Sequence, residues 1–195
     1  MLKQRKPNRL KNYDYSQGGA YFITICSHNR DYLFGEIADG KMRLNEYGGI
    51  VENEWIKSPE IRAEIKLDEY IVMPNHIHGI ILIENPDVGG NGRSPLPQNP
   101  IRRTSMGSKT LSSFVAGYKS AVTKQINGFR HLLGVPVWQR SYYDHIIRDE
   151  LSLERVREYI VNNPKQWDMD EENIKNAGSI SINRETFYRR IKLPV

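Results

Sequence analysis

Short apolar runs rich in aromatic and β-branched residues predict β-strands, and one further stretch shows the alternation of apolar and polar positions that is typical of a strand. Strands are predicted at 21–26, 65–73 and 76–83. The turn pair Asp39-Gly40 predicts a hairpin between 34–37 and 41–44. The apolar positions expected to share a face in the second strand are Ile65, Leu67, Ile71 and Met73.

Helical spacing of apolar residues predicts three helices. They begin after the capping residue Asn45, near Leu111 and near Leu153, and the last must end near Asn163 because Pro164 cannot continue a helix. Residues 135–147 have an extended, aromatic-rich pattern. The resulting order, β-β-β-α-β-β-α-β-α, predicts an α+β fold in which helices pack on an antiparallel sheet.

The composition divides the chain into one main domain and two extensions. The domain is expected at 13–167, after a basic arm at 1–12 and before a tail at 168–195. Residues 84–108 are rich in glycine and proline and are expected to form a flexible loop within the domain.

The net charge and the single cysteine limit which kinds of site and partner the chain can have. The formal charge is +5, which favours a polyanionic partner. One cysteine excludes an intramolecular disulfide and any cysteine-based zinc or iron–sulfur site, and no apolar stretch reaches the roughly 20 residues of a membrane span. We therefore expect a cytoplasmic, nucleoid-associated protein without membrane contact. The basic residues expected to follow a DNA backbone, unless they are merely solvated, are Lys3, Arg5, Lys6, Arg9, Lys11, Arg102, Arg103 and Arg148.

The segment His76-Ile77-His78 carries the clearest chemical signal. Residues i and i+2 of a strand point to the same side, so both imidazoles would lie together while Ile77 faces the core. Two neighbouring imidazoles can bind one divalent ion if at least one further ligand comes from elsewhere. A pair of purely structural histidines is the alternative.

A second candidate lies on the last predicted helix. Tyr159 and Asn163 are four residues apart and therefore share a helix face, where a phenol and an amide oxygen can meet. The alternative is an amphipathic tyrosine with Asn163 as the helix cap. Trp138 and Tyr142 are candidates for stacking unpaired bases, with core packing as the competing interpretation.

Five segments in order resemble the REP-associated tyrosine transposases, a branch of the single-tyrosine HUH transposases, in which two histidines flank a bulky hydrophobic residue. The resemblance covers about residues 10 to 167. The segments are YDYSQGGAYFITI, FGEIADGKMRLNEYG, LDEYIVMPNHIHGIILI, VWQRSYYDHIIRDE and REYIVNNP.

The resemblance implies a four- to five-stranded antiparallel sheet of RRM-like or ferredoxin-like topology with the His76–His78 strand inside it. It implies Tyr159 as the nucleophile and Asn163 as the third ligand of a divalent metal, Mg²⁺ or Mn²⁺. The implied reaction is cleavage and rejoining of single-stranded DNA at hairpin sites through a 5′-phosphotyrosine. No small-molecule cofactor is expected, and the protein would act as a monomer or a homodimer.

Two other functions compete with the transposase. A non-catalytic nucleic-acid-binding module or repressor would keep the sheet and the basic arm but would not need His76, His78, Tyr159 and Asn163 together. A metal-dependent phosphoesterase without a covalent step would keep the histidines and would not need Tyr159. The complete set of four residues favours the transposase.

Overall fold

The protein is described here by a computed structural model that covers residues 18–84, 109–170 and 172–176. Most of the predicted flexible loop and most of the predicted tail lie outside these residues. The same is true of the basic candidates Lys3, Arg5, Lys6, Arg9, Lys11, Arg102 and Arg103.

The elements follow the predicted order, with one short helix added. The strands are β1 (Gly19–Cys26), β2 (Gly35–Ala38), β3 (Lys41–Leu44), β4 (Ile65–Met73), β5 (His76–Ile83) and β6 (Tyr143–Ile147). The helices are α1 (Glu46–Ile56), α2 (Ser58–Ile61), α3 (Leu111–Phe129) and α4 (Glu150–Asn162), with 3₁₀ helices at His28–Arg30, Asn163–Met169 and Ile174–Asn176.

Four of the strands form one antiparallel sheet in the order β4-β5-β1-β6, and β2 pairs with β3 in a separate hairpin. Strand β5, which carries the two histidines, is an interior strand between β4 and β1. The α+β class, the antiparallel sheet and the interior position of this strand are therefore confirmed. Among the described residues, no helix is long and apolar enough to cross a bilayer.

Helices cover both faces of the sheet. Helices α1 and α3 pack against one face in the larger core cluster, which includes Ile77 and Trp55. Helix α4 packs against the opposite face, where Phe22 meets Val156 and Ile160. Strand β5 thus presents Ile77 to one helical layer and its histidines to the other, as a period of two requires.

Gly79 lets strand β5 approach α1 closely. A Cβ atom at this position would lie only 2.3 Å from Cζ2 of Trp55, so a side chain cannot be accommodated without moving the indole ring. The absence of a side chain allows the ring to lie directly on the strand that carries the histidines.

The predicted single-faced alternation along β4 is wrong. A β-bulge shifts the register between Leu67 and Tyr70, so Ile65 and Leu67 face α1 and α3, whereas Ile71 faces α4. A bulge inserts one extra residue and reverses which side the following residues face. Asp68 follows Leu67, faces the opposite side and contacts α4.

Side-chain caps define the helix starts, and two predicted boundaries move. Asn45 accepts a hydrogen bond from the Gly48 amide at the start of α1, as predicted. Helix α3 continues past the expected stop at Asn127-Gly128 to Phe129. The predicted extended segment 135–147 is a strand only at Tyr143–Ile147.

Candidate metal and nucleophile site

His76 and His78 lie side by side on the face of β5 that is covered by α4. Both are almost completely buried, with exposed fractions of 0% and 2%, and their ring centroids are 4.3 Å apart. Burying two imidazoles in this way requires polar partners for their ring nitrogens, because an unsatisfied buried nitrogen is costly. A partner that can only accept a hydrogen bond also determines which ring nitrogen carries the proton.

The Nδ1 atom of His76 lies 2.9 Å from Oδ1 of Asn75. An amide oxygen can only accept a hydrogen bond, so this contact requires the ring proton on Nδ1. The lone pair of the neutral ring is then on Nε2, the nitrogen suited to binding a metal.

His78 is held between Thr24 and Tyr159. Its Nδ1 lies 2.9 Å from the Thr24 hydroxyl oxygen, and its Nε2 lies 3.2 Å from the Tyr159 hydroxyl oxygen. Both neutral tautomers satisfy these two contacts, since a hydroxyl can donate or accept. With the proton on Nδ1, Nε2 carries the lone pair and accepts from Tyr159.

Tyr159 and Asn163 reach this site from the end of α4. Helix α4 ends at Asn162, in agreement with the predicted end near Asn163, and the chain continues as the 3₁₀ helix Asn163–Met169 with Pro164 in its first turn. The Asn163 side chain is buried, and its Nδ2 donates to Oδ2 of Asp170 at 2.8 Å. Because a carboxylate only accepts, Oδ1 of Asn163 must point the other way.

Asp170 completes a cluster of three potential ligands. The ligand atoms of His76, His78 and Asp170 all lie within 4.8 Å of one another, and all three residues are buried. Asp170 follows the 3₁₀ helix, and its amide donates to the Trp167 carbonyl at 3.0 Å. Pro164 and the helical turns after it therefore bring this carboxylate back to the histidines.

The donor chemistry fits a divalent cation. Two imidazoles and a carboxylate suit Mn²⁺, Fe²⁺ or Zn²⁺, and carboxylate and amide oxygens also suit Mg²⁺. Oδ1 of Asn163 is buried and has no hydrogen-bond partner within the described residues, which makes it a fourth possible donor. A buried polar atom without a partner is rare unless something binds it.

Phe22 forms an apolar floor below the reacting groups. Its ring centroid lies 5.2 Å from that of His78 and 6.0 Å from that of Tyr159, which is itself half-buried. Cys26 is paired in register with His76, but burial and the nearby Glu172 raise the pKa of its thiol well above the usual value. Since thiolates are the metal-binding form, Cys26 is a poor ligand here.

A bidentate ion pair holds helix α4 against strand β4. Nε and Nη2 of Arg157 donate to the two carboxylate oxygens of Asp68 at 2.8 and 2.6 Å. These hydrogen bonds lower the pKa of the Asp68 carboxyl. Arg157 lies two residues before Tyr159 on α4. The ion pair therefore helps to fix the position of the Tyr159 phenol above β5.

The aromatic DNA-binding candidates lie away from this site. Trp138 is buried between the rings of Phe34 and Tyr118 on the α3 side, with Tyr142 packed against the same cluster. This arrangement favours the core-packing interpretation for Trp138. Arg148 is exposed just before α4.

Lys119 fastens the segment before β6 to α3. Its ammonium donates to the carbonyls of Gln139 and Ser141, each at 2.9 Å, and lies 5.8 Å from the centroid of the Tyr142 ring. Burial lowers the pKa of Lys119 to about 8. Lys119 therefore secures this connection on the side of the sheet opposite the histidines.

Three residues of the site were not predicted from the sequence: Thr24, Asn75 and Asp170. Asp170 was included in the tail at 168–195, and no periodicity distinguishes it from the acidic residues around it. Thr24 lies on a strand with an ordinary apolar pattern. Only Asn75 carried a signal, since it directly precedes the His-x-His motif.

Comparison with known proteins finds similarity both in sequence and in structure. No family model matches the chain. An uncharacterized protein from Haemophilus influenzae is 41% identical over 172 residues, which cover 87% of this chain and 93% of the relative. A solved structure of a REP-associated tyrosine transposase bound to a REP hairpin aligns with a TM-score of 0.53 and 19% identity, over 84% of this chain and 76% of that one.

The structural comparison agrees with the architecture described above. The sequence relative has no assigned function, and the structural relative is similar enough to establish the fold. The fold that the resemblance implied is thus confirmed. The chain belongs to one family with the Haemophilus influenzae protein, and its fold is that of the REP-associated tyrosine transposase.

Proposed function

We propose that this protein is a single-tyrosine strand transferase that cuts and rejoins single-stranded DNA, with Tyr159 as the nucleophile. The observation that carries the proposal is the distance of 3.2 Å between the Tyr159 hydroxyl and Nε2 of His78. This contact places a phenol beside a cluster of three metal-ligand candidates. A tyrosine that served only in packing would not need to contact such a cluster.

The proposed reaction is an in-line displacement at phosphorus. The Tyr159 oxygen loses its proton and forms a bond to the scissile phosphorus, while the bond from phosphorus to the 3′ oxygen of the preceding nucleotide breaks. That oxygen takes up a proton and leaves as a 3′-hydroxyl, so no net proton is gained or lost. The product is a 5′-phosphotyrosine. Its phosphodiester linkage conserves the energy of the cleaved bond, so the DNA can be rejoined without another energy source. A second 3′-hydroxyl then displaces Tyr159 and restores a DNA strand.

The chain supplies four groups that would hold a divalent ion such as Mg²⁺ or Mn²⁺. We assign this role to His76, His78, Asp170 and Oδ1 of Asn163. When bound, the ion supplies neutralisation of the charge that develops on the phosphoryl oxygens. The ring of Phe22 packs against that of Tyr159, so the phenol borders an apolar surface.

The proposed substrate is a DNA hairpin with an unpaired flank. The solved relative is bound to a REP hairpin, and the two chains share a fold. The formal charge of +5 is compatible with a polyanionic partner, and we expect the protein to act on nucleoid DNA in the cytoplasm. The basic arm at 1–12, Arg102, Arg103 and the exposed Arg148 are the proposed backbone contacts.

The test is a cleavage assay on an end-labelled single-stranded hairpin taken from the DNA flanking the gene. Wild type, Tyr159→Phe and Tyr32→Phe would be compared with Mn²⁺ or Mg²⁺ and with EDTA. Tyr32 is the matched control because it lies on the Trp167 side, where its hydroxyl donates to Asn173. The expected result is a denaturant-resistant protein–DNA adduct that requires metal, survives Tyr32→Phe and disappears in Tyr159→Phe.

Two other outcomes would replace the proposal. Binding of the hairpin without any adduct, with either metal, would indicate a nucleic-acid-binding module or repressor. Metal-dependent cleavage that survives Tyr159→Phe and leaves no adduct would indicate a phosphoesterase that uses water as the nucleophile.

A further inference from the structure

Asn75 lies at the centre of a network behind the candidate metal site. It precedes β5 in the turn after Pro74, and its side chain is completely buried. Its amide contacts three different parts of the chain: the ring of His76, the turn at residue 30 and the segment at residue 172. No step of the proposed reaction uses Asn75 directly.

The two donor contacts of Asn75 settle the orientation of its amide. Nδ2 donates to the carbonyl oxygen of Arg30 at 3.0 Å and to that of Glu172 at 2.6 Å. Carbonyl oxygens only accept, so the amide cannot be rotated to exchange its oxygen and nitrogen without losing both bonds. Oδ1 is therefore held toward His76.

The two carbonyls are themselves held in place. Arg30 and its neighbour Asn29 both have left-handed backbone conformations, with φ of 60° and 54°. Such conformations are uncommon for residues other than glycine and persist where the surroundings enforce them. The Arg30 guanidinium also pairs with the Glu172 carboxylate at 3.1 Å, which joins the two segments that accept from Asn75.

We propose that Asn75 is a positioning residue that keeps the neutral ring of His76 protonated on Nδ1 and thereby directs the lone pair of Nε2 to the metal. The use of that lone pair rests on the proposed function, but the tautomer itself is a property of the metal-free protein. Partners of this kind orient metal-binding histidines and raise their affinity for the ion. Thr24 occupies the equivalent position behind His78.

The test measures the tautomer and the metal affinity separately. Two-dimensional ¹H–¹⁵N spectra of the metal-free protein distinguish the two neutral tautomers of each histidine, with His76→Gln and His78→Gln used for assignment. Mn²⁺ affinity is measured by calorimetry. The variants are Asn75→Ala, Asn75→Asp, which keeps an acceptor for Nδ1, and Thr24→Val as the matched control behind the other histidine.

In wild type and Asn75→Asp, His76 is expected as the Nδ1–H tautomer. Asn75→Ala should lose that preference and bind Mn²⁺ about 10- to 100-fold more weakly. Thr24→Val should alter the signals of His78 and leave those of His76 unchanged.

An Nε2–H tautomer of His76 in the wild-type protein would overturn the proposal, and this measurement needs no variant. So would an Asn75→Ala protein that is folded by circular dichroism and keeps both the Nδ1–H tautomer and the wild-type affinity. If Asn75→Ala does not fold, the tautomer of His76 in the wild-type protein decides. A hairpin assay without adduct would count against the proposed function while leaving the tautomer result unaffected.

Discussion

At the scale of single residues, the site contains a competition for one nitrogen. Nε2 of His78 is 3.2 Å from the Tyr159 hydroxyl, and the proposed function directs the same nitrogen to a metal. A nitrogen has one lone pair, so the phenol must give up this hydrogen bond when an ion binds. The proposed reaction needs the Tyr159 oxygen at this position, beside the residues that would hold the ion.

Tyr159→Phe should therefore keep metal binding while losing the adduct. Removing the competing hydrogen bond, which is worth about 0.5–1.5 kcal/mol, should leave Mn²⁺ affinity unchanged or raise it by up to about tenfold. Calorimetry of wild type and Tyr159→Phe side by side measures the difference. Clearly weaker binding in the variant would mean that the phenol oxygen is itself a ligand.

Asp170 gives a second prediction at this scale. Asp170→Asn removes the only carboxylate of the three-residue cluster and also the acceptor that orients Asn163, so Mn²⁺ affinity should fall by at least about tenfold. Asp168→Asn is the matched control, since Asp168 is exposed and lies two residues away. Equal affinities for the two variants would remove Asp170 from the ligand set.

The elements show what a periodic pattern can and cannot predict. The period of two placed His76 and His78 on one face and Ile77 on the other, because strand geometry leaves no alternative. The bulge in β4 escaped prediction, because Leu67, Asp68 and Glu69 fit an ordinary strand as well as a bulged one. The ion pair of Arg157 with Asp68 could not be predicted either, because no local pattern shows that β4 and α4 meet at these two residues.

Arg157→Met tests how far this ion pair holds α4 on the sheet. The side chains of Arg157 and Asp68 are 38% and 15% exposed, so the loss of free energy of unfolding near neutral pH should be about 1 kcal/mol. The folded-state pKa of Asp68 is lowered, chiefly by hydrogen bonds from Arg157. Its stabilisation is therefore present above the ordinary pKa of about 4 and is lost as the pH falls through the lower, folded-state value.

Urea unfolding of wild type and Arg157→Met at neutral and acidic pH measures this difference. The gap between the two proteins should close in acid. The control is Arg43→Met, because Arg43 pairs with Asp39 at 3.3 Å on an open surface where the side chains are 63% and 89% exposed. Arg43→Met should change the free energy of unfolding little at any pH. If Arg157→Met loses the same free energy at neutral and acidic pH, the loss comes from side-chain packing and not from the ion pair.

At the scale of the whole molecule, the sequence was sufficient for the architecture but not for the closure of the site. Local signals such as Asn45 and Pro164 delimit helices, and they predict the element order well. The return of Asp170 to the histidines depends on the path of the chain through Asn163–Met169, which no local period encodes. The candidate ligands consequently come from β5 near the middle of the chain and from the segment after α4.

This arrangement predicts that a metal stabilises the entire fold. An ion that binds only the folded chain at a free concentration of about 100 times its Kd adds about 2.7 kcal/mol. For a chain of this size, that corresponds to a rise in Tm of about 5–10 °C. Mn²⁺ should produce the rise in wild type, EDTA should reverse it, and His76→Ala should abolish it.

His131→Ala is the matched control for the thermal shift, because His131 is exposed beyond the end of α3 and should leave the rise intact. Asp170→Asn should reduce the rise, since it removes the ligand that connects the end of α4 with the sheet. A rise that persists in His76→Ala would place the stabilising ion elsewhere on the protein. If the rise depends on His76 but not on Asp170, the ion is held by the histidines of β5 and by Asn163. In that case Asp170 would orient the Asn163 side chain without binding the metal.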